Sequence, residues 1–256
     1  MKVVTREVLK KKFIKLGVKT GQDILIHTSM KKFGYFINGP YDILNSLYEI
    51  INLKKGTILI PTHTGQFSIP KFWKKKINSS IAAKSLENFD VKKSLPRNRG
   101  IISMIPLIDK RFRRSNHPLN SLSGIGKRSN YFTKSHPLQY PEGIGSPIWR
   151  LYKKKGYTLL FGVDLRSCSS IHLAEYIMDL NYLKNNKMHV FNNGKYVKIV
   201  KYPDRSNNFI RLMPYLKREK ILKTEKLNGI NIYFISIFKL VNLSIRILKK
   251  NNNFFR

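Results

Sequence analysis

The sequence predicts an α/β fold, a mostly parallel central sheet covered by helices on both faces, with a β-hairpin and a basic helical tail. Three observations carry that expectation. Short runs that are apolar at nearly every position, DILIH (23–27), TILIPTH (57–63) and YTLLFGV (157–163), read as strands buried on both sides. Helical-period segments alternate with them, the order that gives parallel strands with crossover helices. Hydrophobic residues form 42% of the 256, enough for a core that a disordered chain cannot build.

Taken in order, Thr5 is placed to cap a helix whose apolar residues Val8, Leu9, Phe13 and Leu16 share one side, with Gly17 closing it. The strand DILIH follows. In GPYDILNSLYEII (39–51), Pro40 stands at a first helical position, and Ile43, Leu44, Leu47, Ile50 and Ile51 recur at helical spacing. After TILIPTH the pattern weakens from about residue 65 to 99 into basic and polar sequence, expected to form a flexible flap. YTLLFGV is the third buried strand, and MHVFNNGKYVKIV (188–200) reads as a hairpin around Asn193-Gly194. Beyond 205 the chain is basic and partly apolar. It is expected to pack a helix on the main domain, dividing the protein into 1–205 and an extension, 206–256.

The 49 Lys and Arg against 14 Asp and Glu give a net charge of +35, which favours phosphates, nucleic acid or anionic lipid and disfavours polycations. A second source competes: only three alanines (Ala82, Ala83, Ala174) stand among abundant Lys, Asn and Ile, as an AT-rich genome produces. A nucleic-acid-binding protein is the rival reading, motivated by +35 and 12% aromatic residues. Against it, the lysines are scattered and no RNP-like, KH-like or helix-turn-helix signature occurs. The basic, partly apolar FKLVNLSIRILKK (238–250) suggests peripheral membrane contact. The longest apolar stretch is broken by Lys239, Asn242 and Arg246 and does not read as a membrane span. The start MKVVTREVLKKKF lacks the apolar centre of a signal peptide, so a cytoplasmic location is expected. Cys168 is the single cysteine, which excludes an intrachain disulfide and a CxxC metal site.

His27, His63, His117, His136 and His172 fall at the ends of expected elements. In an open parallel sheet, ligands bind beyond the carboxyl ends of the strands. His27 and His63 end two strands there, and His172 follows the third after a short loop. In HTSMKKFG (27–34), Thr28 and Ser29 offer hydroxyls, Gly34 allows close backbone approach, and Lys31 and Lys32 add charge. That stretch reads as a phosphate or pantetheine site or as a plain turn; GxxxxGK[ST] and GxGxxG are absent. In SCSSIHLAEY (167–176), His172 and Glu175 share a helix face, as an acid–base pair or as an ordinary polar stripe. HxxxH and HxH pairs are absent and acids are scarce, so no metal is expected.

As an ordered set, HTSMKKFG (27–34), GTILIPTHT (56–64), RRSNHPLNSLSGIGK (113–127), HPL (136–138), EGIGSPIWRLYKKKGYTLLFGV (142–163) and SSIHLAEY (169–176) resemble the aminoglycoside 3-N-acetyltransferase family over residues 5 to 180. The resemblance implies a three-layer α/β/α fold that moves the acetyl group of acetyl-CoA onto an amine, with 1–205 as the acetyltransferase domain. It implies His27, Thr28, Ser29, Lys31 and Gly34 around the pantetheine and phosphates, with Ser146 of G-S-P near the pocket. It implies His172 with Glu175 at the catalytic centre, lined also by His117. An ammonium cannot attack a thioester, so a base must take a proton, and a histidine near neutral pKa suits that task. His117 and His172 stand as alternative bases. A covalent acetyl-enzyme on Cys168 competes with direct transfer, which is the favoured route because no motif surrounds Cys168.

Two departures bear on the acceptor. From Gly65 to Lys76 the chain has no acid, where aminoglycoside-modifying relatives carry aspartates, and +35 repels a polycation. A nucleotide- or polysaccharide-linked amino sugar is therefore the expected acceptor, with an aminoglycoside, and antibiotic resistance, as the alternative. Met104 in RGIISMIP (99–106) replaces a glutamate usual near this turn, which implies altered acceptor choice or decayed activity.

Overall fold

The computed structural model describes residues 2–68, 88–97, 100–192, 195–199 and 206–256. Its strands are β1 (Val3–Val4), β2 (Asp23–Thr28), β3 (Tyr35–Phe36), β4 (Thr57–Pro61), β5 (Arg113–Arg114), β6 (Leu122–Gly126), β7 (Tyr157–Phe161), β8 (Met188–Asn192), β9 (Lys195–Ile199), β10 (Leu222–Leu227) and β11 (Ile230–Ser236). Seven of them form one sheet in the order β10-β11-β7-β2-β4-β6-β5. The three apolar runs are its parallel centre: β2 pairs in parallel with β4 on one side and β7 on the other. Antiparallel strands extend it, β6 and β5 beyond β4, β11 and β10 beyond β7.

Alternation along the central strands feeds two cores. Ile24, Ile26, Ile58, Ile60, Leu159 and Phe161 face a layer that holds the helices Arg6–Lys15 and Pro40–Ile51. Leu25, Leu59 and Leu160 face the opposite layer, where the helices Pro147–Lys153, His172–Ile177 and Ile237–Lys250 pack. Burying both faces is what allows strands with no polar side. Thr5 caps the first helix by accepting from the Val8 amide at 3.4 Å. Leu9, Phe13 and Leu16 are buried as expected, whereas Val8 is 37% exposed and lies off the apolar side assigned to it.

β8 and β9 pair antiparallel with Asn192 opposite Lys195, while the Asn193-Gly194 turn expected between them lies outside the described residues. Most of the expected flap, 69–87 and 98–99, also lies outside them. Its described part is held by Arg114, whose guanidinium donates to the carbonyls of Ser94 (2.6 Å) and Thr62 (2.6 Å) and lies 4.9 Å over the Phe89 ring. Burial brings that guanidinium down to about 10.

The basic tail holds the expected helix, Ile237–Lys250, and also β10 and β11, which a helical reading does not contain. Strand passes to helix at Ser236, whose hydroxyl accepts from the Lys239 amide at 3.4 Å. Ile237, Leu240, Val241, Leu243 and Leu248 are all buried, so the apolar face offered for membrane contact is occupied by the core. No helix among the described residues is long and apolar enough to cross a membrane.

Candidate active site

Because β2, β4 and β7 run parallel, their carboxyl ends share one sheet edge. A cavity of about 580 Å³ opens there. His27, Thr28, Ser29 and Lys31 line it from the end of β2, Ile60 and Pro61 from β4, and Gly100–Ser103 and Val163 from the loops. The chain leaves β7 through Gly162, φ +70°, where a Cβ would collide with the Ser29 carbonyl and the Phe33 ring. The Ser29 amide donates back to Phe161 O at 2.8 Å, fixing the turn at which Ser29 lines the cavity. Hydroxyls, one ammonium and apolar Ile26, Ile60, Ile101 and Val163 make a lining without a carboxylate. That donor set fits an extended anion with an apolar arm, which is the chemistry of acetyl-CoA.

Gly34 and Ser146 take other places. Gly34 has φ +109° and packs so closely on the Lys2 carbonyl that no Cβ fits, while Tyr35 donates its amide to the same carbonyl at 2.9 Å. Close backbone approach is what this glycine permits, but toward residue 2 and not toward the cavity. Ser146 is fully buried, and its hydroxyl accepts from the Trp149 amide at 3.2 Å as the N-cap of Pro147–Lys153. His63 is buried beyond the end of β4, with its carbonyl accepting from Arg97 at 3.1 Å. Met104 ends the turn Ile101–Met104; Gly100–Ser103 reach the cavity wall and Met104 does not.

His172 opens the helix His172–Ile177 and is 8% exposed. Its Nδ1 lies 2.5 Å from Glu175 Oε2, and Glu175 is 2% exposed. An ionised carboxylate only accepts, so Nδ1 donates and the neutral ring carries its lone pair on Nε2. Glu175 Oε1 accepts from the Tyr182 hydroxyl. The ring edge of His172 packs on Phe209 with centroids 4.7 Å apart. Nothing in local spacing points to Tyr182 or Phe209, which reach the pair through the tertiary fold.

His117 is placed differently. It is fully buried beside His136, ring centroids 4.5 Å apart. Its Nδ1 accepts from the amides of Leu119 (3.1 Å) and Asn120 (3.0 Å), and its Nε2–H donates to Leu138 O at 3.3 Å. Both nitrogens are engaged in holding the loop, so no lone pair faces an incoming amine. Burial pushes His117 down to about 4, and burial with the neighbouring His117 pushes His136 well below the usual histidine range. Cys168 is fully buried, and burial pushes its thiol up to about 12, far from the thiolate a nucleophile needs. Among the described residues no group of three His, Cys, Asp or Glu side chains could hold a metal ion.

The profile of the aminoglycoside 3-N-acetyltransferase family matches residues 25–249. The SPbeta prophage-derived aminoglycoside N(3')-acetyltransferase-like protein YokD of Bacillus subtilis is 27% identical over 237 residues, 90% of this chain and 86% of that protein. Aminoglycoside N(3)-acetyltransferase IX of Micromonospora chalcea is 26% identical over 190 residues, 69% of this chain and 63% of that protein, so the alignment spans less than two thirds of the latter. The crystal structure of YokD shares the fold at a TM-score of 0.85 and 24% identity, covering 99% of this chain and 96% of that one. AAC-IIIb binary with CoASH matches at 0.79 and 20% identity, with 97% of each chain covered. The fold is α/β, and its cavity lies at the carboxyl edge of the parallel strands. The chain belongs to the aminoglycoside 3-N-acetyltransferase family, whose members are acetyl-CoA-dependent N-acetyltransferases.

Proposed function

We propose that this protein acetylates an amino group of an aminoglycoside-type amino sugar, with His172 taking the proton at Nε2. The observation that carries the reading is the buried His172–Glu175 pair, which fixes the tautomer with Nε2 as the basic nitrogen, within a motif of the family. His27, Thr28, Ser29 and Lys31 hold acetyl-CoA, which supplies the thioester carbonyl. As the amine nitrogen bonds to that carbon, His172 Nε2 accepts a nitrogen proton and Glu175 stabilises the imidazolium formed. The C–S bond then breaks and the proton passes to the departing CoA sulfur. Transfer is direct, since Cys168 is a buried thiol.

Names of the relatives support the aminoglycoside alternative; the nucleotide- or polysaccharide-linked acceptor that the charge suggested has no support among them. AAC-VIa, a fold neighbour at a TM-score of 0.80, is recorded bound to sisomicin. The test is thiol release from acetyl-CoA with sisomicin, gentamicin and a nucleotide-linked amino sugar, in parallel with His172→Ala. Removing a general base is expected to lower the rate roughly 10²–10⁴-fold. A variant as fast as the parent, or a parent that neither releases thiol nor binds acetyl-CoA by calorimetry, refutes the proposal.

A further inference from the structure

We infer that Tyr182 is a positioning residue for His172, acting through Glu175, and that residues 254–256 hold it in place. The inference rests on the reading of His172 as the base. A carboxylate that orients an imidazole has two oxygens, and a buried one needs partners for both. Glu175 gives Oε2 to His172 and Oε1 to the Tyr182 hydroxyl. Losing either donor would free the carboxylate to turn about its terminal torsion. Tyr182 stands seven positions after Glu175, and the chain reverses between them at Asp179, φ +45°, before the short helix Asn181–Asn185. That reversal returns the phenol to the carboxylate. Burial, then the charge of Glu175, holds the Tyr182 hydroxyl far above the usual tyrosine range, so it stays a donor at every assay pH.

Residues 254–256 back both members of the pair. The Arg256 guanidinium lies 4.8 Å over the Tyr182 ring. Arg211 fixes the backbone there, donating to the carbonyls of Phe254 at 3.1 Å and Arg256 at 2.8 Å. Phe255 is buried and meets Phe209 at 4.9 Å, and Phe209 is the ring against which His172 packs. The carboxylate side and the imidazole side are thus braced by one short segment more than 70 residues away along the chain.

The test follows the His172 imidazole by NMR titration in the full chain, for the parent, Tyr182→Phe and Arg256→Ala, with thermal melting to confirm folding. Removing the phenol donor leaves more carboxylate charge on Oε2, so Tyr182→Phe is expected to raise the His172 pKa by about half a unit to one unit. In thiol release, kcat is expected to fall roughly tenfold at unchanged KM for acetyl-CoA, as when a reacting group loses alignment. Arg256→Ala is expected to move the titration the same way by less, and it serves alone if Tyr182→Phe does not fold. An unmoved or lowered titration in folded Tyr182→Phe overturns the inference. An unmoved titration in Arg256→Ala removes the 254–256 segment from it. A raised titration combined with a fully active His172→Ala instead overturns the base assignment and leaves the Tyr182–Glu175 coupling standing.

Discussion

Lowering the pH from 7 to 5 is expected to cost this fold about 2 kcal/mol through His117 alone. The ring is held neutral because Nδ1 accepts two backbone amides and burial forbids a charge, bringing its pKa from 6.5 to about 4. An unfolded chain binds the proton first, so this contribution is fully present above about pH 6.5 and is lost as pH falls toward 4. Between pH 7 and 5 the unfolded imidazole takes up most of one proton and the folded one about a tenth. Integrating that difference gives about 2 kcal/mol. His136 titrates in the same direction, so the comparison must isolate His117. In His117→Asn the Oδ1 takes the acceptor's place near Nδ1 but cannot titrate. Urea denaturation at pH 7 and 5 is expected to show a fall in stability about 2 kcal/mol greater for the parent than for this variant, which itself starts less stable. Equal falls would mean that His117 is not held neutral by its amide partners, and would return it to the candidates for the base.

Cys168→Ala is expected to release thiol within about twofold of the parent, because a buried thiol near 12 supplies almost no thiolate; a loss as deep as that of His172→Ala would establish an acetyl-enzyme. Ser146→Ala is expected to lower stability by about 1 kcal/mol through loss of the Trp149 cap, read by thermal melting, with KM for acetyl-CoA unchanged; a raised KM would return Ser146 to the cofactor pocket.

The centre of the fold was legible because β2, β4 and β7 are apolar at nearly every position, a pattern few other structures require. β6 was not. LSGIG has only two apolar residues, Leu122 and Ile125, three positions apart among tiny ones, and Gly124 is small because Ser129 packs on it, its Cα 3.4 Å from where a Cβ would stand. β10, LKTEKL, is an edge strand with exposed lysines, which protects an edge but hides the strand from any reading of hydrophobicity. INIYFISIFKLVNLSIRIL reads as one apolar run, and the change from strand to helix at Ser236 occurs without glycine or proline. In the candidate site, the pairing of His172 with Glu175 was visible because a helix brings i and i+3 together. Gly34 and Ser146 belong to the same family motifs but answer to Lys2 and Trp149, partners no spacing reveals. Tyr182, Phe209 and Phe255 carry no motif, since only the folded chain makes them neighbours.

The position of β11 sets a timetable for the newborn chain. β7 ends at residue 161, yet its partner on one side is not made until residues 230–236. At roughly 5–20 residues per second, that strand waits several seconds with one hydrogen-bonding edge bare. It is buried on both faces in the finished protein, which makes it a ready template for another nascent chain. The moment of greatest hazard for this molecule therefore falls on the ribosome, in the interval when the sheet has its middle but not yet its margin.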